Sequence, residues 1–411
     1  MKRKVLKREW CLFALLAGLF WHDAAGGQLP VARFFYDESG NLSRQEKDTN
    51  GDGKMDRRTF YNREGKIERV EQDENFDGKP DITLFYQGGK ITRQELSSKR
   101  DGRTDTWYFF TAQGQLEHKE QDTNGDGKVD IWVVYQNNQP VRSEEDRDFD
   151  GRVERIVHLQ QKKISRIEED TNEDEKMDSF SYFQDSQLVR KELDRKHVGK
   201  IDLWGYYQDG QLVRQEEDLS GDGKPDRTLY FQGGKLVRRE EDSRGQGRID
   251  LIEFFSAGQL TKRLKDSKQD GKIDTLYLFE DNKLVREKRD TDADGIFDLR
   301  IFYENEMMMR QEADTNRDRR VDVWVTYENG KRVQQEEDLN FNGKIDARYS
   351  FKDGQVVKQE QVAEVEPSPP ASPLTAVEKE LQSTAPEMPL GEQSGGKTVI
   401  KASREASTNQ R

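Results

Sequence analysis

The 411-residue sequence predicts an all-β fold, an elongated array of about thirteen 24-residue β-hairpin repeats that forms an open, twisted meander or superhelix. Two repeated features predict this fold: an acidic loop recurs thirteen times, and a short stretch rich in aromatic and β-branched residues follows each loop. The composition agrees, since 36% of residues are charged and only 32% are hydrophobic, which is too little for one large core. The 6 Trp, 13 Tyr and 20 Phe must therefore be buried in small, repeated portions.

The N-terminus has the pattern of an export signal. A basic start is followed by the apolar run Cys11 to Trp21 and by the small residues Ala24, Ala25 and Gly26, so residues 1–26 are predicted to be a signal peptide. An uncleaved interfacial anchor is the alternative. The apolar run is shorter than the roughly 20 residues that cross a bilayer, so no transmembrane segment is expected. Cys11 is the only cysteine, and the mature chain would contain no disulfide.

The acidic loop sets the period of the repeat, which we expect to form one domain over residues 27–361. Ten of the twelve intervals between loops are 24 residues and two are 25. In the two longer units the extra residue lies between the aromatic residue and the following glycine, Tyr61 to Gly65 and Phe110 to Gly114. Loops tolerate such insertions, so a hairpin turn is predicted there in every unit. The loops begin at residues 48, 73, 97, 122, 146, 170, 194, 218, 242, 266, 290, 314 and 338.

Each unit contains two candidate strands. The first, such as residues 131–135, is aromatic and β-branched, and we expect its end to be covered on both faces. The second alternates an aliphatic residue, Arg and Glu, as in Leu236, Arg238 and Glu240. Stacked across units, these charges would form solvated ion-pair ladders or, alternatively, a patterned docking face. A β-propeller is the other possible architecture, but the sequence lacks the 48-residue alternation that paired hairpins would produce.

Seven loops match Asp-x-[Asp/Asn/Ser]-x-[Asp/Asn]-Gly-x-x-[Asp/Glu] and are predicted to bind Ca²⁺. Side chains at loop positions 1, 3, 5 and 9 can supply hard oxygen ligands, while Gly at position 6 permits the sharp turn. Mg²⁺ fits less well, because it demands tight octahedral geometry. The predicted metal ligands are Asp48, Asn50, Asp52, Asp56, Asp73, Asn75, Asp77, Asp81, Asp122, Asn124, Asp126, Asp130, Asp146, Asp148, Asp150, Glu154, Asp218, Ser220, Asp222, Asp226, Asp290, Asp292, Asp294, Asp298, Asp338, Asn340, Asn342 and Asp346.

The loop motif resembles known calcium loops. It begins like an EF-hand loop, but position 12 is Thr59, Leu84 or Val133 rather than Glu, and the flanking helices are missing. It is more similar to the nine-residue loops of FG-GAP repeats, in which Asp at position 9 is a ligand, and more loosely to thrombospondin type 3 repeats. The Tyr-x-x-Gly-Lys-Leu segment of the hairpin resembles MORN-like bacterial repeats. These resemblances imply a calcium-binding β-repeat protein.

The remaining six loops depart from the motif. Glu175 and Arg319 replace the glycine at position 6, and Lys268 occupies position 3 of its loop. The loops beginning at residues 97, 194 and 242 carry a basic residue at position 3 and are predicted to be metal-free, with that residue standing in for the cation. These three basic residues are Lys99, Lys196 and Arg244.

The function expected from the sequence is that of a calcium-binding secreted or cell-envelope repeat protein with a structural, adhesive or protein-binding role. A glycan- or small-ligand-binding module is the alternative. No cluster of catalytic residues stands apart from the repeat, so no enzymatic activity is expected. The net charge of −13 argues against nucleic acid, which leaves an unidentified protein or surface as partner. Residues 362–411, rich in Pro, Ser and Glu, are predicted to be a disordered tail.

Overall fold

The computed structural model describes residues 31–365, with backbone only for 363–365. The predicted signal peptide and nearly all of the predicted tail therefore lie outside the described residues. Within them the chain forms 28 strands and no helix, so no helix there is long and apolar enough to cross a membrane. The chain divides at residue 306 into two units, which are described separately: unit 1 contains β1–β23, and unit 2 contains β24–β28.

The strands of unit 1 are five to seven residues long. They are β1 (Ala32–Tyr36), β2 (Leu42–Lys47), β3 (Arg57–Tyr61), β4 (Ile67–Gln72), β5 (Ile82–Gln87), β6 (Lys90–Leu96), β7 (Thr106–Phe110), β8 (Leu116–Gln121), β9 (Ile131–Gln136), β10 (Gln139–Glu145), β11 (Arg155–Gln160), β12 (Lys163–Glu169), β13 (Ser179–Gln184), β14 (Gln187–Leu193), β15 (Leu203–Gln208), β16 (Gln211–Glu217), β17 (Arg227–Gln232), β18 (Lys235–Glu241), β19 (Leu251–Ser256), β20 (Gln259–Lys265), β21 (Thr275–Glu280), β22 (Lys283–Arg289) and β23 (Leu299–Glu304). Those of unit 2 are β24 (Met307–Ala313), β25 (Val323–Glu328), β26 (Lys331–Glu337), β27 (Ile345–Lys352) and β28 (Gln355–Val365).

Every strand of unit 1 pairs antiparallel with its neighbour in the sequence. Eleven hairpins, β1–β2 through β21–β22, are joined by junctions in which the second strand of one hairpin pairs with the first strand of the next. Each junction contains four residue pairs, as in Arg214↔Tyr230 to Glu217↔Arg227. The predicted all-β hairpin array is confirmed. The propeller alternative is wrong for this unit, because successive hairpins are hydrogen-bonded at every junction instead of being grouped into separate four-stranded blades.

Unit 2 repeats the same plan. β24 pairs with β25, and the hairpins β25–β26 and β27–β28 are joined by the β26–β27 junction. Its most buried apolar residues are Ile345 and Ala347 of β27, at 0% and 2% exposure. β28 is the longest strand, and its last residue, Val365, pairs with Ile345.

Two kinds of turn close the hairpins. Most hairpins have a two-residue turn in which both residues have positive φ, such as Asn137 (51°) and Asn138 (59°) between β9 and β10. This geometry matches the right-handed twist of the flanking strands. A five-residue connection joins β3 to β4 and β7 to β8, the two units in which the sequence placed an extra residue, and also joins β1 to β2. In the first, the Asn62 side chain accepts the N–H groups of Glu64 and Lys66, which stabilises the longer turn.

One face of the unit 1 sheet carries the Arg and Glu columns together with aromatic residues. The Arg214 guanidinium lies 4.0 Å from the centroid of the Tyr206 ring, and the Tyr206 hydroxyl donates to Glu216 over 2.9 Å. Arg214 also forms an ion pair with Glu216 at 3.3 Å. The columns are thus ion-pair ladders, as the first interpretation predicted, but they lie against aromatic rings and cover them.

The other face is covered by different side chains of the same sheet. Gly205 of β15 is buried, and a Cβ added there would lie 3.2 Å from a ring carbon of Tyr207 and 3.5 Å from Leu212. Tyr207 therefore lies across its own strand and fills the space that a side chain at residue 205 would need. Neighbouring aromatic residues are half-buried on opposite faces, which agrees with the expectation that both faces of this strand end are covered.

Candidate metal centres

The first residue of each predicted loop holds the loop backbone in place. In the loop that begins at Asp218, Oδ1 accepts the N–H of Gly221 (2.6 Å) and Oδ2 accepts the N–H of Gly223 (2.7 Å). Asp218 is only 1% exposed. The same two bonds, from positions 4 and 6, recur at Asp48, Asp122, Asp146 and Asp290. Position 1 is therefore a structural acceptor for the loop backbone.

Position 9 closes the loop from the other end. Asp130 Oδ2 accepts both the N–H and the hydroxyl of Thr123, each over 2.6 Å, and Asp130 is 1% exposed. Asp81 differs in one respect. Its Oδ2 accepts the N–H groups of Glu74 and Asn75, whereas its Oδ1 is buried and accepts no hydrogen bond. A buried carboxylate oxygen without a partner is costly, and a cation would satisfy it.

Positions 3 and 5 differ from positions 1 and 9 because their side chains are largely exposed. Asn124 Oδ1 accepts the N–H of Asp126 (2.7 Å), and Asp126 Oδ1 accepts the N–H of Lys128 (2.8 Å). Each of these short turns aligns a side-chain oxygen without burying it. Residues at positions 3 and 5 can therefore rearrange around a ligand at less cost than the buried ends of the loop.

The backbone of every predicted loop has positive φ at positions 4 and 6. Position 6 is glycine in the matching loops, for example Gly223 at 89°. Glu175 and Arg319 have the same left-handed conformation at 70° and 71°, although such a backbone is unfavourable for a side chain with a Cβ. The loops that lack the glycine therefore keep the same shape, because their position 1 carboxylates still accept the position 6 N–H.

Among the described residues, three loops gather acidic side chains whose carboxylate oxygens lie within 4.8 Å of one another. One group is Asp146, Asp148, Asp150 and Glu154, the second is Asp122, Asp126 and Asp130, and the third is Asp290, Asp292 and Asp294. All three belong to the seven loops that the sequence singled out. Each group could hold a metal ion. In the loops that begin at Asp48, Asp73, Asp218 and Asp338, part of the predicted ligand set is Asn or Ser.

Successive loops are joined by a backbone hydrogen bond. The N–H of the first residue of one loop donates to the carbonyl of the ninth residue of the preceding loop, as from Asp146 to Asp130 (2.8 Å) and from Asp218 to Asp202 (2.9 Å). The loops of each unit therefore line one end of its strands. Contact between neighbours extends to side chains: His197 Nδ1 lies 3.1 Å from Asp178 Oδ2 of the preceding loop.

Two of the basic residues at position 3 reach the following loop. Lys268 Nζ donates to the carbonyl of Asp290 (2.8 Å), the first residue of the next loop. Lys99 Nζ would lie 3.6 Å from a Cβ placed on Gly125 of the next loop. The sequence could not show this direction, because the stacking distance between loops depends on the register of the intervening hairpin.

The loop backbone also favours the ionised form of its carboxylates. Burial alone would raise the pKa of Asp218, but the N–H groups of Gly223 and Gly221 outweigh it, and the pKa lies below its usual value. The same balance, burial against backbone donors, lowers the pKa of Asp290. At Asp126, in the exposed part of its loop, the N–H of Lys128 is the largest cause of a lowered pKa. These carboxylates are therefore anionic near neutral pH.

No family model matches the chain, and no curated protein matches it. Among solved structures, those of TcdB2-TccC3 and TcdB2-TccC3-TEV are similar to 80% and 81% of this chain, with 14% and 13% identity and TM-scores of 0.19 and 0.17. The chain spans about a quarter or less of the matched chains, 23% and 20% respectively.

Proposed function

We propose that the protein is an exported, non-catalytic repeat protein whose acidic loops bind Ca²⁺, and that it has a structural, adhesive or protein-binding role in the cell envelope or outside the cell. The observation that carries the proposal is the grouping of Asp146, Asp148, Asp150 and Glu154, four carboxylates with oxygens within 4.8 Å. Such a group repels itself without a cation, and oxygen-only ligands are those that Ca²⁺ prefers.

Two further observations support calcium. The buried Asp81 Oδ1 has no hydrogen-bond partner, so the hydrogen bonds of its loop leave one acceptor unsatisfied. The buried ends of the loops are already shaped by backbone donors, while positions 3 and 5 remain exposed and adaptable. A preformed frame with movable oxygen ligands suits the flexible coordination of Ca²⁺ better than the strict octahedron of Mg²⁺.

The glycan-binding alternative has less support. It requires tryptophan and tyrosine rings presented to solvent, whereas Trp324 is 7% exposed, Trp107, Trp132 and Trp204 are half-buried in the sheet, and Tyr36 alone among the described tyrosines is exposed (64%). A role in which calcium orders a regular series of loops fits the stacking of each loop on its neighbour.

The test is a calcium titration of the full chain by calorimetry, with magnesium as the competing ion. Asp126→Ala removes a predicted position 5 ligand, and Asp101→Ala removes the same position from a loop predicted to be metal-free. Both side chains are exposed and accept the equivalent N–H, from Lys128 and Arg103 respectively, so the loss of this backbone contact is matched, and Asp101 also accepts the Ser97 hydroxyl. We expect Asp126→Ala to lower the number of calcium sites by one and Asp101→Ala to leave it unchanged.

Melting of the wild-type chain with calcium and with a chelator completes the test. A higher melting temperature in calcium than in magnesium is expected, since an ion that binds only the folded loops stabilises them. Equal melting curves under all conditions, with no heat of binding, would show that the loops are turns without a metal function.

A further inference from the structure

The two terminal strands of the described array are unpaired along their outer edges. Within residues 31–365, β1 pairs with β2 and β28 pairs with β27, and no other strand pairs with either of them. An exposed edge of this kind presents backbone donors and acceptors that can pair with another strand. Both edge strands also expose large apolar side chains: Phe34 (52%) and Tyr36 (64%) on β1, and Val356 (52%) and Val357 (61%) on β28.

The exposed side chains of these two strands lie at positions that are covered in the other repeats. Phe34 is equivalent to Thr59 of β3. Ala32 is the first paired residue of β1 and Arg57 is the first paired residue of β3, so Phe34 and Thr59 are each two residues further on. Thr59 is 7% exposed. Val357 corresponds to Val333 of β26, which is half-buried. The terminal strands therefore carry interior side chains that lack a neighbouring strand.

The side chains of the two edges would be complementary if β28 and β1 paired in the register of the junctions between hairpins. At the β26–β27 junction, Glu336 pairs with Arg348, and their side chains form an ion pair at 2.7 Å. At the β18–β19 junction, Arg238 pairs with Phe254 and lies 5.6 Å from its ring. On β28, Glu360 corresponds to Glu336 and Lys358 corresponds to Arg238. On β1, Arg33 corresponds to Arg348 and Phe35 corresponds to Phe254.

We propose that β28 of one chain pairs with β1 of a second copy of the same chain, extending the sheet from head to tail. Lys358 is then opposite Phe35, and Glu360 is opposite Arg33. The pairing places a cation on an aromatic ring and an acid beside a base, as the internal junctions do. Because the two surfaces differ, the interface is heterologous, and repetition of it adds one chain at a time.

The test is sedimentation velocity of the full chain over a wide concentration range, in calcium and in chelator. Arg33→Glu places a second acidic side chain opposite Glu360, and Glu360→Arg places a second basic side chain opposite Arg33. We expect each to weaken self-association at least about tenfold, because like charges oppose each other across the interface. The double variant Arg33→Glu/Glu360→Arg restores the opposite pairing and should regain the wild-type association.

A second pair of variants tests the apolar contact. Phe34→Ser removes an exposed ring (52%) from β1, and Val198→Ser removes an even more exposed side chain (67%) from a loop far from either edge in the sequence. Only Phe34→Ser should weaken association, and circular dichroism of both should match the wild type. The proposal is overturned if the full chain stays monomeric up to its highest soluble concentration, as it would if its own flanking residues cover the edges. It is equally overturned if the double charge variant fails to restore association.

Discussion

Replacing Asp218 by Asn tests whether the position 1 carboxylate, rather than a bound ion, holds the loop together. Asp218 is 1% exposed and accepts two backbone N–H groups, from Gly221 and Gly223, at 2.6 and 2.7 Å. Asparagine offers one acceptor oxygen and sets an amide donor against the other N–H. A hydrogen bond to a charged group contributes about 1.5–3 kcal/mol, and a buried unsatisfied donor costs about 1–3 kcal/mol. We therefore expect the loop to lose about 2–4 kcal/mol of stability in the absence of calcium.

Hydrogen exchange of the Gly221 and Gly223 amides in chelator measures this loss locally, which matters because a repeat array need not unfold in one step. A loss of 2–4 kcal/mol corresponds to exchange that is faster by about 30- to 700-fold. Asp222→Asn is the matched control. Its exposed Oδ1 accepts only the N–H of Lys224, and the asparagine oxygen can do the same. If Asp218→Asn leaves both amides as protected as Asp222→Asn does, the carboxylate is not what shapes the loop.

Glu175→Gly relieves a left-handed residue (φ 70°) and should raise the stability of its loop by about 1 kcal/mol in urea unfolding; a loss of stability would mean that the Glu175 side chain matters more than its backbone. Burial, together with the hydrogen bond to Glu287, raises the pKa of Tyr303 to about 12, so Tyr303→Phe should remove the most alkaline step from a spectrophotometric tyrosine titration, and an unchanged titration would contradict this. The lowered pKa of Asp290 contributes stability that is complete above its unfolded value of about 3.9 and is lost as pH falls through its folded value, so the loss of melting temperature that Asp290→Asn causes in chelator should be constant above about pH 4 and shrink below it; a loss that stays the same on acidification would refute the assignment.

The sequence predicted the hairpin array because the features that determine it are local and repeated. The extra residues before Gly65 and Gly114 marked the turns, and two of the three five-residue connections in the described residues lie there. The aromatic residues and the Asp positions likewise identified the strands and loops. What the period could not specify is the pairing register, which depends on a bulge in each hairpin, such as that between Tyr206 and Tyr207.

The candidate sites were predictable in position but not in internal arrangement. The motif placed oxygen atoms at positions 1, 3, 5 and 9, and three of the seven loops gather their carboxylates within 4.8 Å. It could not show that Asp218 is already held by backbone N–H groups, since those donors become convergent only when positions 4 and 6 have positive φ. The direction of Lys268 toward the next loop likewise depends on the distance between stacked loops.

The identical register of the junctions has a consequence for how the gene can change. Arg142 of β10 pairs with His158 across one junction, and His118 of β8 has the position of Arg142 one unit earlier. A chain that lost residues 122–145 would bring Asp146 directly after Gln121, and β8 could then pair with β11 in the register that β10 uses now. Unequal recombination between repeats can therefore lengthen or shorten the array by whole 24-residue units without creating a new kind of contact. Proteins descended from one ancestral sequence can in this way differ in the number of repeats while keeping the same kind of contact at every junction.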